Sequence, residues 1–80
     1  MTQLIKQAKR SELTLILEIL QNTLKPVKKT NLLYMARINF HQLDNYLNLM
    51  LAKGLVKNIV KPFTGYQITE KGIQFIGLLE

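Results

Sequence analysis

Residues 28–66, KKTNLLYMARINFHQLDNYLNLMLAKGLVKNIVKPFTGY, leave this chain few ways to fold. Thr30 can cap a short helix over residues 31–37, with Leu32, Leu33 and Met35 as its apolar contacts. Ala36-Arg37-Ile38-Asn39 then forms a tight turn, with Ile38 packing inward between two helices. Asn39, followed three residues on by Gln42, makes a capping-box start for a longer helix. That helix runs to about Lys53 and stops at Gly54, the residue type best suited to the left-handed backbone just past a helix end. Residues 55–60 are rich in β-branched side chains, 61–65 hold the turn residues Pro62 and Gly65, and 66–69 alternate as a returning strand. Two helices about a turn are thus followed by a hairpin.

The flanks complete the plan. Ser11 is placed as an N-cap, with Glu12 favourably set against the helix dipole. Leu13, Ile16, Leu17, Leu20 and Leu24 recur at helical spacing and predict a core-facing stripe on a first helix that ends before Pro26. Leu15 and Ile19 lie on another side, as the edge of a broad core face or as a subunit contact. Thr69 caps a last helix over residues 70–80, with Ile73, Ile76 and Leu79 on one side and Phe75 and Leu78 on another. Residues 1–10 are weakly patterned and read as a flexible arm or helix extension ahead of one domain over 11–80. The order is that of an α+β, mainly α, winged helix-turn-helix: a three-helix core, a β-hairpin wing and a C-terminal helix.

Charge gives this plan a direction. Lys25, Lys28, Lys29, Arg37, Lys53, Lys57 and Lys61 stand against Asp44 alone, so the whole formal excess of +6 lies on the helix-turn-helix and hairpin. A polyanion meeting that surface releases counterions, which predicts salt-sensitive binding of double-stranded DNA. With 80 residues there is room for one core, and 48% hydrophobic residues is high for so small a surface, which points to self-association.

Other classes lose support. No cysteine is present, so thiol catalysis, disulfides and cysteine metal sites are excluded. Glu12, Glu18, Asp44, Glu70 and Glu80 are scattered, and the four glycines are isolated, so neither acid–base pairs nor a phosphate loop is visible. His41 is the only histidine and lacks a ligand set. No catalytic residue, metal, cofactor or small-molecule ligand is expected. Without an apolar run of the ~20 residues a bilayer needs, or the apolar core of a signal peptide, the expected setting is cytoplasmic, with no membrane partner, and a DNA binder there is expected to be nucleoid-associated.

On the longer helix, Phe40, Leu43, Leu47, Met50 and Leu51 fall on the inner side, leaving His41, Gln42, Asn45 and Asn48 outward as candidate base contacts. Amides pair bidentately with adenine, and the N-terminal part of a recognition helix reaches base edges. Each of the four is equally of a type common on the solvated side of a helix. Lys28, Lys29, Thr30, Arg37, Lys53, Lys61 and Thr64 are the candidate backbone contacts around that face. A winged helix that docks on a protein partner is the competing class, since one fold hosts both roles.

The ordered set of KKT, YMA, GLV and YQITEKG resembles the archaeal winged-helix family that includes the small DNA-binding, chromatin-associated proteins of Sulfolobus, over residues 11–79. The resemblance implies a homodimeric DNA binder, either a transcriptional regulator or a chromatin-architectural protein with little sequence preference. In related chromatin proteins the last helix continues into a long antiparallel coiled coil, whereas this chain stops at Glu80. The expected substitute is a dimer contact through Leu15, Ile19, Phe75 and Leu78.

Overall fold

The structure, a computed structural model, describes residues 11–79; the expected arm at 1–10 lies outside the described residues. Three helices come first: α1 (Glu12–Gln21), α2 (Lys29–Ala36) and α3 (Phe40–Ala52). Strands β1 (Val56–Ile59) and β2 (Gly65–Ile68) follow, and α4 (Glu70–Leu79) closes the chain. The local signals that start and stop these elements act as hydrogen bonds. Ser11 Oγ accepts from the Thr14 amide at 3.1 Å. The Gln42 amide donates to Asn39 Oδ1 at 2.7 Å while the Asn39 amide donates to Gln42 Oε1 at 3.3 Å, closing the capping box. Gly54 has φ +75°, the left-handed conformation that ends α3. Thr69 Oγ1 accepts from the Gly72 amide at 3.0 Å and donates to the Gly54 carbonyl, tying the start of α4 to the end of α3.

Helix α2 departs from its sequence signals. It begins at Lys29 rather than at 31, Lys28 holds the cap position without a side-chain hydrogen bond, and Thr30 sits inside the first turn. The cause is a tertiary pairing just upstream. Val27 exchanges hydrogen bonds with Tyr66 of β2, N to O at 3.0 Å and back at 2.8 Å, so the chain is delivered to Lys28 already fixed in direction. From there Leu32 and Ala36 reach full burial on one face. At the other end Arg37 takes φ 58° and ψ 45°, so the helix stops before it.

The sheet is antiparallel, with Val56 opposite Ile68 and Ile59 opposite Gly65. Val27 extends it on the far edge of β2. Gly65 is required there, because a methyl group on its Cα would collide with the Val27 carbonyl oxygen.

The core joins Ile19 and Leu20 of α1, Leu32 and Ala36 of α2, and Leu43, Leu47 and Met50 of α3 to Val27, Leu55, Val56 and Ile68. Fully burying one such large side chain stabilises the fold by roughly 1.5–3 kcal/mol. This core corrects the expected stripe on the first helix. Leu15 and Ile19 are 7% and 0% exposed, whereas Leu13 and Leu24 are 46% and 55% exposed. Between positions 13 and 20 only Thr14 and Glu18 interrupt an apolar run, so two helical stripes overlap, and packing against α2 and α4 chose the one through Leu15, Ile19 and Leu20. The helix also ends at Gln21, well before Pro26. Buried Thr23 donates its hydroxyl to Leu20 O at 2.7 Å, and its carbonyl accepts from the Ile68 amide at 2.8 Å, drawing the chain off the helix toward β2. Phe40 is a second correction: expected on the inner side of its helix, it is exposed. It is the first residue of α3, beyond the reach of the core that its later turns fill.

Candidate nucleic-acid interface

Helix α3 divides cleanly. Leu43, Leu47 and Met50 are buried, and His41, Gln42, Asn45, Asn48, Leu49 and Ala52 are exposed. The four residues expected to face outward do so, presenting amide and imidazole groups with no formal charge. They are not equivalent. Gln42 Oε1 is engaged in the capping box, leaving its amide nitrogen to donate outward. Asn45 carries no such commitment to the cap and keeps the donor–acceptor pair that matches adenine N7 and N6.

Gln42 and Asn45 share a shallow depression with Tyr46, Leu49 and Glu12, the first residue of α1. Glu12 was read from the sequence only as a favourable first-turn acid. Nothing in its local pattern says that the start of α1 borders the outer face of α3. A carboxylate there repels phosphate and can accept from a cytosine N4 amino group.

The basic residues surround this face unequally. Lys28 is exposed at the head of α2, its ammonium 5.4 Å from the centroid of the Phe63 ring on the wing. The contact brings the start of α2 and the hairpin tip together, at a distance at which ring and cation attract. Lys61 and Thr64 are exposed on the same tip, and Lys53 is exposed at the C-cap of α3. Lys57 is exposed on β1. Thr30 is exposed in the first turn of α2.

Two members of the expected set stand apart. The Lys29 ammonium forms an ion pair with Asp44 Oδ1 of α3 and lies 4.4 Å from the centroid of the Phe40 ring. It spans two elements of the domain, and with the partners fifteen positions apart no local spacing announced the pair. Arg37, at the opposite end of α2, lines a depression with Glu18, Gln21, Asn22 and Met35 rather than joining the lysines near the wing.

The expected dimer residues are also separated. Leu15 and Ile19 belong to the chain's own interior and offer no surface to a second copy. Phe75 is half-buried against the core, and Leu78 is 84% exposed on α4, as Ile73 is at 52%. Among the described residues no group of three or more His, Cys, Asp or Glu side chains is placed to hold a metal ion, and no helix is long and apolar enough to cross a membrane.

Comparison with known proteins agrees with this geometry. A family model described as winged helix-turn-helix matches residues 9–80. The crystal structure of Sso10a-2, a DNA-binding protein from Sulfolobus solfataricus, is similar with a TM-score of 0.77 and 25% sequence identity, covering 88% of this chain and 75% of that one. No curated protein matches the chain.

Proposed function

Because this chain belongs to the winged helix-turn-helix family, we propose that it binds double-stranded DNA, with α3 in the major groove and the basic wing on the adjacent backbone. The observation that carries the reading is the concentration of the whole +6 excess between Lys25 and Lys61, around an α3 face that is itself uncharged and rich in amides. Lysines at the rim suit phosphate, which positions a protein on the duplex, and amides at the centre suit base edges, which specify sequence. The similarity to a DNA-binding protein of Sulfolobus adds support.

His41, Asn45 and Asn48 are the proposed base-reading groups, with Gln42 contributing through its free amide nitrogen. Lys28, Lys53 and Lys61 are the proposed phosphate contacts, with Thr30 and Thr64 beside them. The protein is read as a non-enzymatic regulator of transcription, cytoplasmic and associated with the nucleoid. An architectural role with little sequence preference is the second reading, supported by the lack of any charged, bidentate base-reading side chain on the outer face of α3. We further propose a homodimer formed through α4, which exposes Ile73 and Leu78 beside half-buried Phe75.

A fluorescence-anisotropy titration on duplex DNA at several salt concentrations tests the function. Affinity is expected to fall steeply with salt, and Lys61→Gln to lower the slope of log K against log salt by about 0.9 on all sequences alike. Asn45→Ala is expected to change the preference among sequences by about 1–3 kcal/mol if the protein reads bases, and to leave affinity even across sequences if it is architectural. Absent or salt-insensitive binding by the wild-type chain would sink the reading.

A further inference from the structure

Neighbouring lysines at the head of α2 have different fates. The Lys28 ammonium lies over the face of the Phe63 ring, 5.4 Å from its centroid, a contact that leaves its charge uncompensated and able to meet a phosphate. Lys29 is held on two sides, by the Asp44 carboxylate and by the Phe40 ring 4.4 Å away, and its side chain is 30% exposed against 40% for Asp44. Asp44 is the only acidic residue between Lys25 and Lys61. It sits on α3 itself, in the stretch where every other charge is positive.

Resting on the DNA-binding reading, we infer that Asp44 withholds Lys29 from the DNA backbone and so limits how many phosphates the α2–α3 surface neutralises. The pair has no net charge. A lysine already compensated by a carboxylate has no cationic charge left to displace counterions from DNA, so it adds nothing to the salt-dependent part of affinity. Because both partners are partly exposed, the pair itself contributes little to stability, of the order expected for a surface ion pair. Removing the carboxylate therefore changes binding more than folding. Sequence reasoning had counted Lys29 as a phosphate contact; the structure gives it a partner that competes for the same ammonium.

A mutant cycle on salt dependence tests this. Wild-type protein, Asp44→Asn, Lys29→Gln and the double variant are titrated with a random-sequence duplex between about 50 and 200 mM salt, where each added phosphate contact steepens the slope by about 0.9. Asp44→Asn is expected to bind more tightly at low salt and to gain that increment, which is roughly a 3.5-fold larger loss of affinity across the range. Lys29→Gln and the double variant are expected to keep the wild-type slope, because neither contains a liberated Lys29. A pair that merely pinned α2 to α3 would move thermal stability and leave the slope alone. Asp44→Ser repeats the measurement with a different side chain and the same expected slope. An unchanged slope in both Asp44 variants overturns the inference, as does a steepening that persists with Lys29→Gln, since Asp44 would then act on the surface as a whole. Salt-insensitive binding by the wild-type chain overturns the DNA reading and this inference with it, whereas a normal wild-type slope with an unresponsive Asp44 overturns the inference alone.

Discussion

The half of the molecule built from α2, α3 and the wing and the half built from α1 and α4 both show apolar side chains to solvent but differ in charge. The first exposes Lys28, Lys53, Lys57 and Lys61 around the outer face of α3, together with the apolar Tyr34, Met35, Phe40, Leu49 and Val60. The second exposes Leu13, Ile73 and Leu78 and carries Leu17, Phe75 and Ile76 half-buried. Both halves draw on one core, so the contrast lies in what each shows outside it. A charged rim about an uncharged face suits a polyanion whose bases are also within reach, while an apolar helix flank suits another protein surface.

That division can be broken at several points. The largest effect is expected inside the shared core: Ile19→Ala should lower stability by about 2–5 kcal/mol in urea unfolding, against within about 0.5 kcal/mol for Leu13→Ala on the same helix. Equal losses would mean that the buried side of α1 has been assigned wrongly. Gly65→Ala comes next, at about 1–3 kcal/mol, because the added methyl must displace the Val27 carbonyl that joins the wing to the start of α2. If stability were unchanged, the Val27–Tyr66 pairing would be discounted. Leu78→Glu leaves the core untouched and should scarcely alter stability, yet it is expected to halve the mass seen in sedimentation if α4 forms the dimer. A mass unaffected by the change removes the α4 flank as the contact. DNA affinity in that variant should fall only as far as loss of a second bound domain requires, which separates the two halves by function.

Much of the wing half was legible in the sequence because its signals are local. Asn39 and Gln42 close a capping box within one turn, Gly54 takes the left-handed conformation one position beyond the α3 C-cap, and Pro62 and Gly65 bound the hairpin tip. The polar outer face of α3 followed from residue spacing on a helix whose boundaries were well marked. The α1 half was harder to read. Its run from Leu13 to Leu20 is apolar on several sides, so periodicity offered two stripes, and the wrong one was the more regular. The same limit misplaced Leu15 and Ile19 as dimer contacts. Within the candidate site, Lys29 was grouped with its neighbours because sequence displays a charge but not its distant partner. The place of Glu12 beside this face was illegible for the related reason that its approach to α3 is a tertiary fact.

By itself the sequence determined the order of elements, their caps and turns, the location of the positive charge and the polar face of α3. Each depends on interactions within a few residues or on a count that folding does not change. Only the tertiary structure decided which flank of α1 is inside, where α2 starts, which lysine is free and which is paired, and that an acid from α1 borders the face proposed to read DNA. Those outcomes depend on residues far apart in the chain, Val27 bonded to Tyr66, Lys29 paired with Asp44, and Glu12 lining one depression with Asn45. Their energies exist only once separate helices and strands have been brought against one core.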